Sequence, residues 1–273
     1  MTINCNGILT DLSTPKVMGI LNVTPDSFYD GGQYADTSAI LQQVDKMLTE
    51  GATFIDVGAY SSRPGAAAVS VSEEQSRLIP IIQLLVTEFP KIIISVDTFR
   101  AAVAKEAIQT GASVVNDISA GLLDDDMIKT VATLQVPFIG MHMRGTPQTM
   151  KELTQYQDVV VDVLKACSDR IARCREAGIN DIIIDPGFGF AKNTAQNFEL
   201  LKALELFKSL DVPLLVGVSR KSMIYKTLGT DAVNALNGTT ALHMVALHKG
   251  ASVLRVHDVK EAVECITLYN TIS

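Results

Sequence analysis

Three residues that accept hydrogen bonds, Asp97, Asn116 and Asp185, each stand at the end of a short apolar run. Two carboxylates and an amide, which can also donate, are the groups that read a flat heterocycle bearing several N–H groups. A second set, Arg63, Lys221, Arg255 and His257, is cationic or can become so, and suits a phosphorylated substrate. The formal net charge of the chain is −7, so an anionic ligand has to be met by a local cluster of cations. The same balance leaves no electrostatic footprint for nucleic acid or for an anionic membrane. A plainer reading is helix capping, since Asp, Asn and Ser are preferred N-caps. Capping suits Asp117 or Asp56, but not Arg255, Lys221 or His257.

The elements that must position these residues alternate along the chain. The apolar runs are Val17–Leu21, Phe54–Val57, Ile92–Val96, Val114–Val115, Pro137–Met141, Ile182–Ile184, Leu214–Val218 and Ser252–Val256. They are rich in β-branched residues and apolar on consecutive positions, as strands buried on both faces are. Between them, Ala39–Glu50, Glu73–Glu88, Arg100–Thr110, Tyr156–Ala177 and Thr240–Lys249 carry apolar residues at helical spacing. A faint repeat keeps the register: Gly51-Ala52-Thr53, Gly111-Ala112-Ser113 and Gly250-Ala251-Ser252 each close a helix and open a strand, with Gly178 in the same role.

This order predicts an α/β fold, a single-domain (β/α)8 TIM barrel over residues 1–273, whose chemistry sits where the strands finish. A doubly wound open sheet is the competitor, and it ranks lower because no GxGxxG follows the first strand. The loops from Asn22 to Gly32 and from Tyr60 to Ser72 are longer than plain connections need. Cys5, Cys167, Cys174 and Cys265 show no metal-ligand spacing and read as reduced, cytoplasmic thiols. Neither a signal peptide nor a spanning helix is expected. His243 and His248 read as helix residues, Met141 and Met143 as packing residues with Met141 also in reach of a ring, and Arg220 as structural.

Asn22-Val23-Thr24-Pro25-Asp26-Ser27-Phe28, Ser61-Ser62-Arg63-Pro64-Gly65, Ser95-Val96-Asp97-Thr98, Asn116-Asp117-Ile118, Met141-His142-Met143, Asp185-Pro186-Gly187-Phe188-Gly189-Phe190, Ser219-Arg220-Lys221-Ser222 and Arg255-Val256-His257-Asp258 occur in this order. Together they resemble the motifs of the bacterial dihydropteroate synthase family. The resemblance implies condensation of 7,8-dihydropterin-6-ylmethyl diphosphate with 4-aminobenzoate, releasing pyrophosphate and forming 7,8-dihydropteroate for folate synthesis. It implies that Asp97, Asn116, Asp185 and Lys221 bind the pterin. Ser62, Arg63, Arg255 and His257 would hold the diphosphate, Asn22 would contact Mg²⁺, and Phe28, Pro64, Phe190 and Ser222 would border the aminobenzoate. It further implies a homodimer and inhibition by sulfonamides.

The family's reaction is described as dissociative: the C–O bond breaks first and leaves a pterin-stabilised cation, so the leaving group needs charge stabilisation more than the amine needs a base. Two positions depart from the family's usual pattern, Tyr60 for Glu and Ser62 for Thr. A pterin-dependent methyltransferase would share the barrel and the acceptor set but have no use for the cations. A non-catalytic pterin-binding paralogue would have lost Asn22, Arg63 and Pro64, all of which are present.

Overall fold

The computed structural model describes residues 1–23, 33–60 and 69–272. It opens with a hairpin the sequence reading did not include, β1 (Thr2–Cys5) paired antiparallel with β2 (Ile8–Asp11). Eight parallel strands follow: β3 (Lys16–Asn22), β4 (Phe54–Gly58), β5 (Ile94–Asp97), β6 (Val114–Asp117), β7 (Phe138–Met141), β8 (Ile182–Asp185), β9 (Leu215–Val216) and β10 (Val253–Val256). From β3 to β8 each strand pairs with the next, and β10 lies between β9 and β3. The last seam, between β8 and β9, is closed by the bridge Ile184–Leu214, with Ile184 N–H donating to Pro213 O at 3.0 Å. The sheet is therefore a nearly closed barrel, with helices between its strands, as the alternating pattern predicts. The seam is thin because β9 has only two residues and Pro213, just before it, has no N–H to offer.

The helices are α1 (Gln33–Thr49), α2 (Val71–Glu88), α3 (Ala101–Thr110), α4 (Met127–Leu134), α5 (Val159–Glu176), α6 (Thr194–Lys202), α7 (Ser222–Thr227), α8 (Leu236–His248) and α9 (Val259–Ile272). Glycines after α1, α3 and α8 have φ of 101°, 125° and 101°, the left-handed region anticipated for the repeat. Asp158 caps α5 by accepting from Val160 N–H and Val161 N–H, and Asn193 forms a reciprocal capping box with Gln196 at the start of α6.

Strand side chains alternate between two environments. Val17, Ile55, Val57, Ile94, Val115, Ile182, Ile184 and Leu254 point outward and pack with the helices in the large core. Met18, Phe54, Ile93, Val114, Ile139, Ile183, Leu215 and Val253 form a separate apolar cluster with Ile3, Cys5 and Leu12 of the hairpin segment. That cluster fills the lower barrel, and the hairpin covers its floor, held by Asn4 N–H donating to Asp181 Oδ2 at 2.8 Å. Burying each large apolar side chain there contributes roughly 1.5–3 kcal/mol.

One pleat further along the same strands, two residues on and facing the same way, stand Asp56, Ser95, Asn116, Asp185, Gly217 and Arg255. A polar tier thus lies directly above an apolar one. Polar groups so placed are costly unless paired, which decides how the site is built.

Candidate active site

Arg255 sits at the centre of the polar tier. Its Nε donates to Asp56 Oδ2 at 2.6 Å and its Nη2 to Asp97 Oδ2 at 2.8 Å. Asn116 Nδ2 donates to the same Asp56 oxygen at 3.1 Å. Asp56 is therefore not the helix cap offered above; it is fully buried inside the barrel, and its Oδ1 has no partner among the described residues. Asp117 does act locally, its carboxylate accepting from Ser119 N–H and Gly121 N–H. Burial raises its pKa to about 6 against those bonds.

Two carboxylates share one guanidinium, so the trio is short of positive charge. Burial, opposed by Arg255 and reinforced by Asp56, raises Asp97 to about 7. Burial works against the charge of Arg255 as well, but Asp56 and Asp97 outweigh it and raise its pKa. Asp185, 6% exposed, is also raised by burial, with Lys221 and the Gly187 N–H opposing. Burial lowers Lys221 to about 8, Asp185 holding it up and Arg255 pressing it down.

A glycine shapes the floor between these groups. A Cβ on Gly217 would lie 4.0 Å from Asp185 Oδ2, 4.0 Å from Lys221 Nζ and 3.9 Å from Arg255 Cβ. The missing side chain leaves space bounded by the Asp185 carboxylate, the Lys221 amine and the stem of Arg255. Lys221 Nζ also donates to Phe188 O and lies 4.8 Å from the centroid of the Phe190 ring. The turn after β8 is fixed at Gly187: its φ is +74°, and a Cβ there would fall 2.0 Å from His142 O. Gly187 N–H in turn donates to Asp185 Oδ1 at 2.7 Å.

The remaining expected residues stand at or just after strand ends, or lie outside the described residues. Asn22 ends β3, paired in register with Gly58. Met141 packs with Ile118, Met143, Met150 and Ala191, with Phe190 at the edge of the cluster. His257, exposed above Arg255, accepts or donates through Nδ1 at 3.1 Å to Ser219 Oγ, and its N–H donates to the same oxygen at 3.2 Å. Ser222 opens α7. Phe28, Ser62, Arg63 and Pro64 lie outside the described residues. Tyr60 packs edge-on against Phe99 at 5.0 Å, with the Arg100 guanidinium 5.3 Å from its ring and its hydroxyl accepting from Gln148 Nε2 at 3.2 Å. An aromatic thus tethers three loops at the rim.

Arg220, as expected, is structural: it makes a two-pronged pair with Asp258, both bonds 2.8 Å, and donates to the carbonyls of Ala232 and Val233. His243 is buried in α8, and burial pushes its pKa down to about 4. The sequence reading missed three participants: Asp56 as a partner of Arg255, Gly217 in the floor, and Lys192 behind the turn. The first two could have been found by counting two residues on from Phe54 and Leu215. Lys192 carries no such periodic signal.

The arrangement gathers three carboxylates, an amide, a lysine and an arginine towards the carboxyl ends of the strands, with an exposed histidine two residues beyond the arginine. Comparison with known proteins agrees with this chemistry. Residues 18–257 match the family described as "Pterin binding enzyme". The chain is 44% identical over 268 residues to the dihydropteroate synthase of Escherichia coli strain K12, covering 97% of this chain and 94% of that one. The Xanthomonas albilineans dihydropteroate synthase solved with 4-aminobenzoic acid superposes with a TM-score of 0.92 at 40% identity, covering 99% of this chain and 97% of that one. The same organism's enzyme in complex with 7,8-dihydropteroate gives a TM-score of 0.89 at 37% identity, covering 100% and 98%.

Proposed function

The chain belongs to the pterin-binding enzyme family, and from that premise we propose how its own residues carry out the reaction. It is a transferase of folate synthesis that joins 7,8-dihydropterin-6-ylmethyl diphosphate to 4-aminobenzoate, forming 7,8-dihydropteroate and pyrophosphate. The observation that carries the residue assignment is the grouping of Asp56, Asp97 and Asn116 through Arg255, with Asp185 and Lys221 bounding the space left open by Gly217.

The pterin lies in that space, its N–H groups shared among Asp97, Asn116 and Asp185, with Lys221 donating to a ring acceptor. Asp97 and Asp185 also stabilise the positive charge that grows on the pterin as the C–O bond breaks. Arg255 spans the pterin side and the diphosphate side. When pterin N–H groups take over Asp97, part of the guanidinium is released towards the leaving group, where His257, Ser62 and Arg63 join it. Phe190, Phe28 and Pro64 border the aminobenzoate, and Ser222 with the free N–H groups opening α7 receives its carboxylate. Met141 closes the pterin side from within its apolar cluster. The arylamine is neutral at physiological pH and attacks without a general base.

The donor set fits Mg²⁺ carried in on the diphosphate. Among the described residues no group of three or more His, Cys, Asp and Glu is placed to cage an ion, and Mg²⁺ held by substrate phosphates takes only one or two protein ligands. Asn22, half-buried at the barrel mouth, is the ligand we assign. When bound, Mg²⁺ neutralises charge on the leaving diphosphate.

We also infer a homodimer in the cytoplasm. Exposed Leu228, Val233, Val245, Leu268 and Ile272 favour pairing through the α7–α9 side. The four cysteines are buried and unbridged, and among the described residues no helix is long and apolar enough to cross a membrane. The deciding assay is pyrophosphate release by purified protein, with pterin diphosphate, 4-aminobenzoate and Mg²⁺ each omitted in turn. Release and dihydropteroate formation should require all three. Pterin binding without product would indicate a binding paralogue instead.

A further inference from the structure

Lys192 is buried, 7% exposed, and no step described above uses it. Its Nζ makes three contacts of hydrogen-bond length: to Gly187 O at 2.9 Å, to Phe190 O at 3.1 Å and to His142 Nδ1 at 3.0 Å. An ammonium has three protons, and each has one acceptor here. His142 can accept because it is neutral: burial first, then the charges of Lys192 and Arg144, push its pKa down to about 2. The network therefore assigns its proton to Nε2. Burial lowers Lys192 to about 7; Asp185 and Cys167 support its charge, while Lys221 and Arg144 oppose it.

The segment held in this way runs from Asp185 to Ala191 and borders both substrate positions. Asp185 accepts from Gly187 N–H, Phe188 O is held by Lys221 from the pocket side, and Phe190 lies beside Lys221. Lys221 must be free to meet the pterin, so it cannot be what anchors the turn in the loaded enzyme. Lys192 holds the same turn through two other carbonyls, those of Gly187 and Phe190, and is buried. A glycine-rich turn, with positive φ at Gly187 and Gly189, has no side chains of its own to fix its path at those points.

We propose that Lys192 is a positioning residue: its ammonium bolts the Asp185–Ala191 turn to the end of β7, so that the Asp185 carboxylate and the Phe190 ring are preset for the two substrates. This rests on the reading that Asp185 and Phe190 border those substrates.

The test compares Lys192→Met, Lys192→Gln and Asp185→Asn with the native enzyme. Readouts are pyrophosphate release, bare pterin binding by calorimetry, and folding by circular dichroism. Lys192→Met keeps the length and loses all three donors, so KM for both substrates should rise about tenfold with a smaller change in kcat per folded molecule. Lys192→Gln keeps a donor and should fall between Met and native. A purely structural lysine would change the folded fraction and the apparent kcat but leave KM alone. A folded Lys192→Met enzyme with native KM and native pterin affinity, beside an impaired Asp185→Asn, would overturn the proposal alone. Native pterin affinity in Asp185→Asn would overturn the site reading beneath it. Should Lys192→Met not fold, Lys192→Gln and His142→Phe decide the matter: raised KM in both supports the bolt, and unchanged KM in both refutes it.

Discussion

Replacing Asp56 with asparagine tests whether the shared guanidinium sets the ionisation of the pterin pocket. Asp56 and Asp97 hold Arg255 at 2.6 and 2.8 Å, and Asp97 is raised to about 7, by burial first and with Asp56 adding to it. Unit charges roughly 6 Å apart at an effective dielectric near 20 interact by about 3 kcal/mol, about two pKa units. Asp56→Asn removes that repulsion and leaves Arg255 to Asp97, so the pKa of Asp97 should fall by about one to two units.

A carboxyl raised on folding holds its proton more tightly in the native chain than in the unfolded one. Its stabilising contribution is present at low pH and is lost as pH climbs from about 4, the unfolded value, through the folded value of about 7. Urea unfolding of the native enzyme should therefore show stability from this group declining across that window, and the variant should decline less and finish sooner. At neutral pH the lost Arg255–Asp56 bond, about 1.5–3 kcal/mol for a charged partner, roughly offsets the relieved repulsion, so stability there should change little. Pterin binding requires an ionised Asp97 on this reading, so the acid limb of affinity should move to lower pH by the same about one to two units. Calorimetry on both proteins with one bare pterin cancels the ligand's own titration. A folded variant whose acid limb does not move would refute coupling through Arg255.

Gly217→Ala should fold normally, since its Cβ meets only ordinary contacts, but that methyl group would occupy the ring space beside Asp185 and Lys221. Pterin affinity should drop by about 30-fold or more, roughly 2 kcal/mol, with an unchanged melting temperature; native affinity would move the ring elsewhere. Asn22→Ala should raise the Mg²⁺ concentration needed for half-maximal pyrophosphate release by about tenfold while sparing bare pterin binding, and an unchanged Mg²⁺ curve would free Asn22 of that role. Arg220→Met breaks the half-buried, doubly hydrogen-bonded ion pair to Asp258 and should cost about 2–4 kcal/mol in guanidinium unfolding without altering KM for either substrate.

Much of the barrel was legible along the chain. Each strand run predicted its β-strand to within a few residues, because short β-branched apolar stretches, several of them opened by a helix-closing glycine, have few alternatives. The hairpin of Thr2–Cys5 and Ile8–Asp11 escaped notice, since strands this short, half of them exposed, carry little pattern. Asp97, Asn116 and Asp185 were found because each is the polar residue that ends an apolar run. Asp56 lies within its run, between Ile55 and Val57, and looked like an incidental cap. Where both strand faces are buried, alternation disappears from the sequence, and with it the sign of which residues look inward.

The sequence by itself determined the order of the eight barrel strands, the polar residues at the strand ends, and the family. Tertiary structure alone decided the partnerships. Arg255 meets Asp56 across 199 positions and Asp97 across 158, and Lys192 reaches back 50 to His142. Local periodicity cannot encode such contacts. Closing the barrel brings β10 beside β3, turns inward one residue in two, and leaves each buried charge to pair with whatever the neighbouring strands present at the same height.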